Sequence, residues 1–169
     1  MNSKARNIFV LALGIALFPP LWAVAAPYLS VKCGAVALIC AGVYVAGRGT
    51  VKDGWKTMIG FWCGDLWALL ALKTMSSLPW NENLSLYVTL AVLGFFAVVI
   101  ASILERFIYL PAWLSGWAIG LTLMTPEIIK AEKTLPLQIA AAMAVGVWYV
   151  GVGVNMFVKI LTQKKKVEE

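Results

Sequence analysis

The chain contains no histidine, and that absence alone removes much chemistry. Zinc sites built on imidazole, haem held by a His axial ligand and Ser-His-Asp triads are all excluded. Charge is scarce too. Only 13% of the 169 residues are Asp, Glu, Lys or Arg, against the roughly 25% typical of a soluble domain. A soluble domain of this length would need more charge to cover its surface. The cysteines (Cys33, Cys40 and Cys63) all fall inside apolar blocks and form no C-x-x-C pair. No metal site and no cofactor is therefore expected.

What the chain has instead is hydrophobicity: 62% of its residues are apolar, and they come in long blocks rather than along amphipathic stripes. Because about 20 apolar residues cross a hydrocarbon layer of about 30 Å, runs of that order read as spans. Six emerge: Ile8 to Ala26, Leu29 to Ala46, Trp55 to Leu72, Leu84 to Leu104, Phe107 to Met124 and Leu135 to Phe157. The blocks do not alternate as barrel strands do, and backbone in lipid must satisfy itself within a segment, so helices are required. The longest connection, Thr125 to Thr134, is too short for a soluble domain.

The first span has a rival reading. Lys4 and Arg6 precede its apolar core and Ala23-Val24-Ala25 has the small-x-small pattern of a signal-peptide cleavage site. If the span is retained, Pro19-Pro20 is expected to break or kink it. With six spans, Lys4, Arg6, Arg48, Lys52, Lys56, Arg106, Lys159 and Lys164-Lys165-Lys166 gather on one side. Lys32, Lys73, Lys130 and Lys133 gather on the other. That bias puts both termini in the cytoplasm. The net charge of +6 is accounted for by these topogenic residues and a tail that meets anionic headgroups, with no nucleic-acid partner implied.

Two landmarks recur. Leu29-Ser30 in span two is echoed by Leu114-Ser115 in span five, and Gly64-Asp65-Leu66-Trp67 in span three by Gly146-Val147-Trp148-Tyr149 in span six. This suggests a single membrane domain over residues 1–169, made of three-helix halves at 1–76 and 77–162 with a charged tail at 163–169. An odd number of spans per half makes the halves enter the membrane in opposite senses, an architecture recurrent in transporters. The expected fold is an all-α polytopic bundle of six transmembrane helices in two inverted repeats.

The same residues carry a resemblance. Leu29-Ser30, the small-residue span to Gly47, the basic loop from Lys52 to Lys56 and Gly64-x-x-Trp67-Ala68 resemble a bacterial family catalogued as domain of unknown function 1097. Leu110-Pro111, the span bearing Gly116 and Gly120, and Leu135-Pro136 are similar to its second half. The resemblance implies a small multi-span protein of the inner (plasma) membrane.

Asp65 is the sharpest functional candidate, since a carboxylate in mid-span costs about 2.5–3.5 kcal/mol on insertion scales and should face the bundle interior or water. It reads either as an ion or pore site or as a neutral carboxyl bonded to a neighbouring helix. Trp62, on the same helical face, and Trp67 are candidates for an aromatic constriction beside it. Asn155 is a further pore candidate or an interhelical hydrogen-bond donor. Gly60-x-x-x-Gly64, Gly116-x-x-x-Gly120 and Ala142-x-x-x-Gly146 read as close-packing faces, within the chain or across a homo-oligomer.

Two functions compete. The repeat and Asp65 favour a channel or facilitator for a small solute or ion. The weak polarity of the other spans favours a non-transporting component or partner subunit. Without histidine, and with one intramembrane acid, no catalytic residue is expected and the chain reads as no enzyme.

Overall fold

The structure, a computed structural model, describes residues 3–47 and 49–163, with side chains over 5–47 and 49–162. Arg48, the Lys4 side chain and the Lys164-Lys165-Lys166 tail lie outside the described residues. Every regular element described is helical: α1 (Ser3–Ala25), a 3₁₀ turn (Ala26–Leu29), α2 (Val36–Ala46), α3 (Val51–Ser77), α4 (Glu82–Ile103), α5 (Leu110–Leu123), α6 (Pro126–Ala131), α7 (Leu135–Val145) and α8 (Gly153–Gln163). A π-helical segment, Gly146–Val152, joins α7 to α8 in one continuous helix.

Helix starts follow local chemistry. Thr50 and Asp53 cap α3 reciprocally: the Asp53 N–H donates to Thr50 Oγ1 at 3.2 Å and the Thr50 N–H to Asp53 Oδ2 at 3.3 Å. The Asn81 side chain accepts from the Leu84 N–H at 2.8 Å to open α4. Pro111 occupies the first turn of α5, where its missing N–H has no helical partner to lose.

Four helical stretches are long and apolar enough to cross a membrane: Ala5–Leu29, Val51–Ser77, Glu82–Ile103 and Leu135–Thr162. They coincide with four of the six expected spans. The other two, Leu29 to Ala46 and Phe107 to Met124, hold helices of only 11 and 14 residues. At 1.5 Å per residue these reach about 16 and 21 Å, short of the hydrocarbon thickness. Each loses its start to a non-helical segment. Ser30 adopts a left-handed φ of 61° and the chain turns through to Ala35, while Phe107–Tyr109 leaves the helix just before Leu110-Pro111. The proline pair does not break α1, which continues through Pro19 and Pro20 to Ala25.

The chain divides into two compact units, Met1–Gly54 with Ala142–Glu169, and Trp55–Ala141. In the first unit, α2 packs on the π-helical segment and α1 on α8. Gly146 permits the former contact, since a Cβ there would stand 2.7 Å from the Ala37 Cα and 2.8 Å from the Cys40 Cβ. Ala41, Val150 and Val154 form a buried core with Phe18 and Val158 against it. The Phe18 ring lies 5.2 Å from Tyr149 and 5.8 Å from Phe157.

In the second unit, the core is Ala97, Ala101, Ile108 and Trp113, with Ile59, Cys63 and Trp67 packed on it. Here α3 and α5 meet through glycine. A Cβ on Gly60 would stand 2.7 Å from the Tyr109 carbonyl oxygen, and one on Gly116 would stand 2.5 Å from that of Phe61. The Tyr109 N–H donates to the Lys56 carbonyl at 3.3 Å, tying the non-helical entry of α5 to the α3 backbone.

Candidate functional site

The second unit carries an unusual set of polar groups. Asp65 stands on α3 one residue after Gly64, at the closest approach of α3 to α5, and is only 4% exposed. Its Oδ1 is buried and has no hydrogen-bond partner among the described residues. Gly120 of α5 leaves space beside it: a Cβ built there would lie 3.7 Å from that oxygen.

Asp65 also lines a cleft of about 300 Å³ together with Trp62, Leu66, Leu69, Pro136, Leu137 and Ala140. Trp62 sits on the rim, 41% exposed. Its indole Nε1 donates to the Ala140 carbonyl at 3.1 Å, which fixes the ring against α7. Trp62 and Asp65 are therefore brought to one site, as their spacing of three on one helix requires. The cleft is otherwise walled by apolar side chains.

The remaining candidates go elsewhere. Trp67 Nε1 donates to the Leu93 carbonyl at 3.0 Å, and its ring meets Trp113 edge-on with centroids 5.3 Å apart, so it belongs to the core. Asn155 lies in the first unit, where its Nδ2 donates to the Gly49 carbonyl at 3.0 Å. The Tyr44 hydroxyl donates to the same oxygen at 2.8 Å, and Gly49 itself has a φ of 64°. Those two side chains clamp the turn that leads into α3. Gly60, Gly64, Gly116, Gly120 and Gly146 all sit where backbone or side chain of a neighbouring element leaves no room for a Cβ.

Further polar groups join the second unit's interior that residue patterns did not single out. Ser85 and Thr89 of α4 are buried, and neither hydroxyl has a partner among the described residues. Hydroxyls in membrane helices usually satisfy themselves on the preceding turn, as Thr74 does on the Leu70 carbonyl and Thr122 on that of Ala118, each at 2.8 Å. Trp113 and Trp117 of α5 bury indole N–H groups without an acceptor among the described residues. The i, i+4 spacing of Ser85 and Thr89, and of Trp113 and Trp117, puts each pair on one helix face, but spacing alone does not show that their polar atoms lack partners. Among the described residues, the buried side-chain atoms lacking partners are Arg6 Nε and five on α3, α4 and α5 of this one unit. In native proteins such orphans are few and call for an explanation.

No group of three metal-ligating side chains occurs among the described residues. Long apolar helices, short helices entered through non-helical turns and a buried carboxylate define a multi-span membrane protein, its polar interior concentrated in one helical unit. More particularly, the chain belongs to the family described as protein of unknown function DUF1097, whose model matches residues 12–159. No curated protein and no solved structure matches it.

Proposed function

We propose that the protein is a channel or facilitator for a small solute or ion, with its selective site at Asp65. The observation that carries this reading is the buried Oδ1 of Asp65, a residue that lines a cleft, within a unit that buries four more polar atoms, all five without a partner among the described residues. Groups of this kind destabilise a purely structural bundle by about 1–3 kcal/mol each. In a membrane their usual use is a path for water, ions or solutes.

An inverted repeat is part of the proposal, and the composition of the units supports it. With α1, α2 and α3 as one half and α4, α5 and the α7–α8 helix as the other, the first unit holds α1, α2 and the last helix from Ala142 onward. The second holds α4, α5 and most of α3. Each unit thus combines a long helix, a short helix entered through a non-helical turn and a glycine-bearing third helix from the opposite half. The internal contacts suggest a register. Gly64 abuts the Trp113 carbonyl and Gly116, while Gly146 abuts the Ala37 carbonyl and Cys40. That pairs Ala37 with Trp113, Cys40 with Gly116 and Gly64 with Gly146, in place of Leu29 with Leu114.

On this reading the chain crosses six times. The crossings by α2 and α5 are completed by non-helical segments, tolerated at membrane depth only where protein covers them; Val31 and Ile108 in those segments are indeed buried. The distribution of basic residues then puts both termini in the cytoplasm, in the inner membrane of a bacterium. A homo-oligomer is also proposed, but not through the glycine faces, which are filled within the chain, and no enzymatic activity is proposed.

The test is solute-driven swelling and shrinkage of proteoliposomes over a panel of small neutral and charged solutes, wild type beside Asp65→Asn. Selective permeation that changes with the substitution is the expected result. Folded protein that leaves liposomes as tight as empty ones would refute transport and favour a partner subunit instead.

A further inference from the structure

We infer that the groove between α1, α2 and the π-helical segment holds one hydrocarbon chain of a membrane lipid. This site is separate from Asp65 and does not depend on the transport reading. It begins with the shortness of α2, which starts only at Val36 because residues 30–35 turn instead of forming helix. That turn leaves a cavity of about 370 Å³ beside the second half of α1. Pro19, Pro20 and Ala23 line it from α1, Ala37 and Leu38 from α2, and Val150 from the π-helical segment. Ala37 and Val150 are buried, whereas Pro20, Ala23 and Leu38 are exposed at its mouth. Its depth follows from the 25-residue span Ala5–Leu29, whose middle is Leu17. At 1.5 Å per residue, Pro19 to Ala23 lie about 3–9 Å beyond that point, inside a hydrocarbon half-layer of about 15 Å.

The chemistry of the occupant follows from what the lining has left to offer. Trp22 brings the one polar side-chain atom of the lining, and its Nε1 already donates to the Gly34 carbonyl at 3.0 Å. Pro19 and Pro20 have no N–H to give. The turn has used its own backbone as well. The N–H groups of Val36, Ala37 and Leu38 donate to the carbonyls of Cys33, Gly34 and Ala35 at 3.0, 3.1 and 3.1 Å. A polar solute entering here gives up its hydration and gains no free donor in return, which is costly. Water stays out of an apolar cavity for the same reason, and an empty cavity forfeits the contacts its lining could make. A helix of a second copy, about 10 Å across with its side chains, is too thick to enter. A saturated chain needs no hydrogen bond, and the bilayer supplies it at this depth. About a dozen methylene groups fill 370 Å³ if each takes about the 30 Å³ of a water.

The experiment uses the full-length protein in phosphatidylcholine nanodiscs, with a tracer of phosphatidylcholine that carries a diazirine midway along one acyl chain. Irradiation is done in the nanodisc and again after the disc is dissolved in detergent, and mass spectrometry maps the labelled residues. Phe95 and Phe96, on the exposed face of α4, report lipid that merely surrounds the protein. They should lose their label in detergent, while Pro20, Ala23 and Leu38 keep theirs. Two variants fill the groove from opposite sides, Ala23→Phe from α1 and Leu38→Trp from α2, both at exposed positions that fold without repacking a core. Either should abolish the label that survives detergent at the remaining groove residues and leave the nanodisc label on Phe95 and Phe96 unchanged. Groove label that disappears in detergent together with that of α4 overturns the inference, since the lipid is then not held. So does groove label that persists in both variants, or cross-linking that joins these residues to a second copy of the chain.

Discussion

Adding one methyl group at Gly64 should separate α3 from α5, and the same change at Gly42 should do nothing of the kind. In Gly64→Ala the new Cβ points at the Trp113 carbonyl oxygen, 2.5 Å from the Trp117 nitrogen and 2.8 Å from the Gly116 carbonyl carbon. All three are backbone atoms of a helix, so no side chain can swing away and the helices must part by roughly 1 Å to reach ordinary contact. Overpacking of this kind costs about 1–3 kcal/mol, and the upper end applies because Gly60, Gly116 and Gly120 lose their close approach together. Alanine's better helix propensity returns up to about 1 kcal/mol, leaving a net loss of about 2 kcal/mol. Gly42 lies in α2, where a methyl group would meet nothing within 4 Å, so Gly42→Ala keeps only the propensity gain. Unfolding in a mixed-micelle denaturant titration, followed by tryptophan fluorescence, measures both. A Gly64→Ala protein within about 0.5 kcal/mol of wild type would refute the reasoning, because the contact would then not be one between backbones.

Other substitutions probe the remaining contacts. Tyr44→Phe and Asn155→Ala each leave the Gly49 carbonyl one donor and should cost about 0.5–1 kcal/mol; the double variant leaves it none, so the same titration should give a loss exceeding the sum. Trp67→Phe keeps the edge-on packing with Trp113 but loses the bond to the Leu93 carbonyl. It should destabilise by about 1 kcal/mol and leave permeation in proteoliposomes as in wild type.

The long helices were legible because length and apolarity are what a membrane demands, and α1, α3, α4 and the α7–α8 helix satisfy both. The helices of spans two and five are shorter than their apolar runs for one physical reason. An apolar run records what lipid or a protein interior will accept, and says little about where the backbone turns. Ser30, Lys32 and Gly34 ahead of α2, and Pro111 at the start of α5, were the local signs of interruption. Pro19-Pro20 pointed the other way, toward a break, yet α1 continues; membrane helices tolerate proline where neighbouring groups satisfy the freed carbonyls. At the site, Asp65 and Trp62 were readable from charge and helical spacing. Ser85 and Thr89 were not, because a hydroxyl in an apolar helix is ordinarily satisfied by its own backbone, and only packing reveals that these two are not.

The two units also suggest why only one of them holds a carboxylate. In the proposed register Asp65 corresponds to Val147 and Gly120 to Tyr44. Val147 is fully buried, and the Tyr44 ring is buried against Gly151 with its hydroxyl bonded to Gly49. The first unit therefore fills, with valine and tyrosine, the position that the second leaves to an acid and a glycine. Filling the second in the same way should help stability and harm function. Asp65→Val removes a buried oxygen that lacks a partner among the described residues and should stabilise the fold by about 1–3 kcal/mol, while abolishing the permeation proposed for the wild type. The reciprocal Val147→Asp introduces a carboxylate at a fully buried position with no cation to meet it, and should destabilise by at least about 3 kcal/mol. Thermal unfolding in detergent decides both. A destabilised Asp65→Val would mean that the carboxylate is held by partners of its own, and the case for an unsatisfied polar site at Asp65 would fall with it.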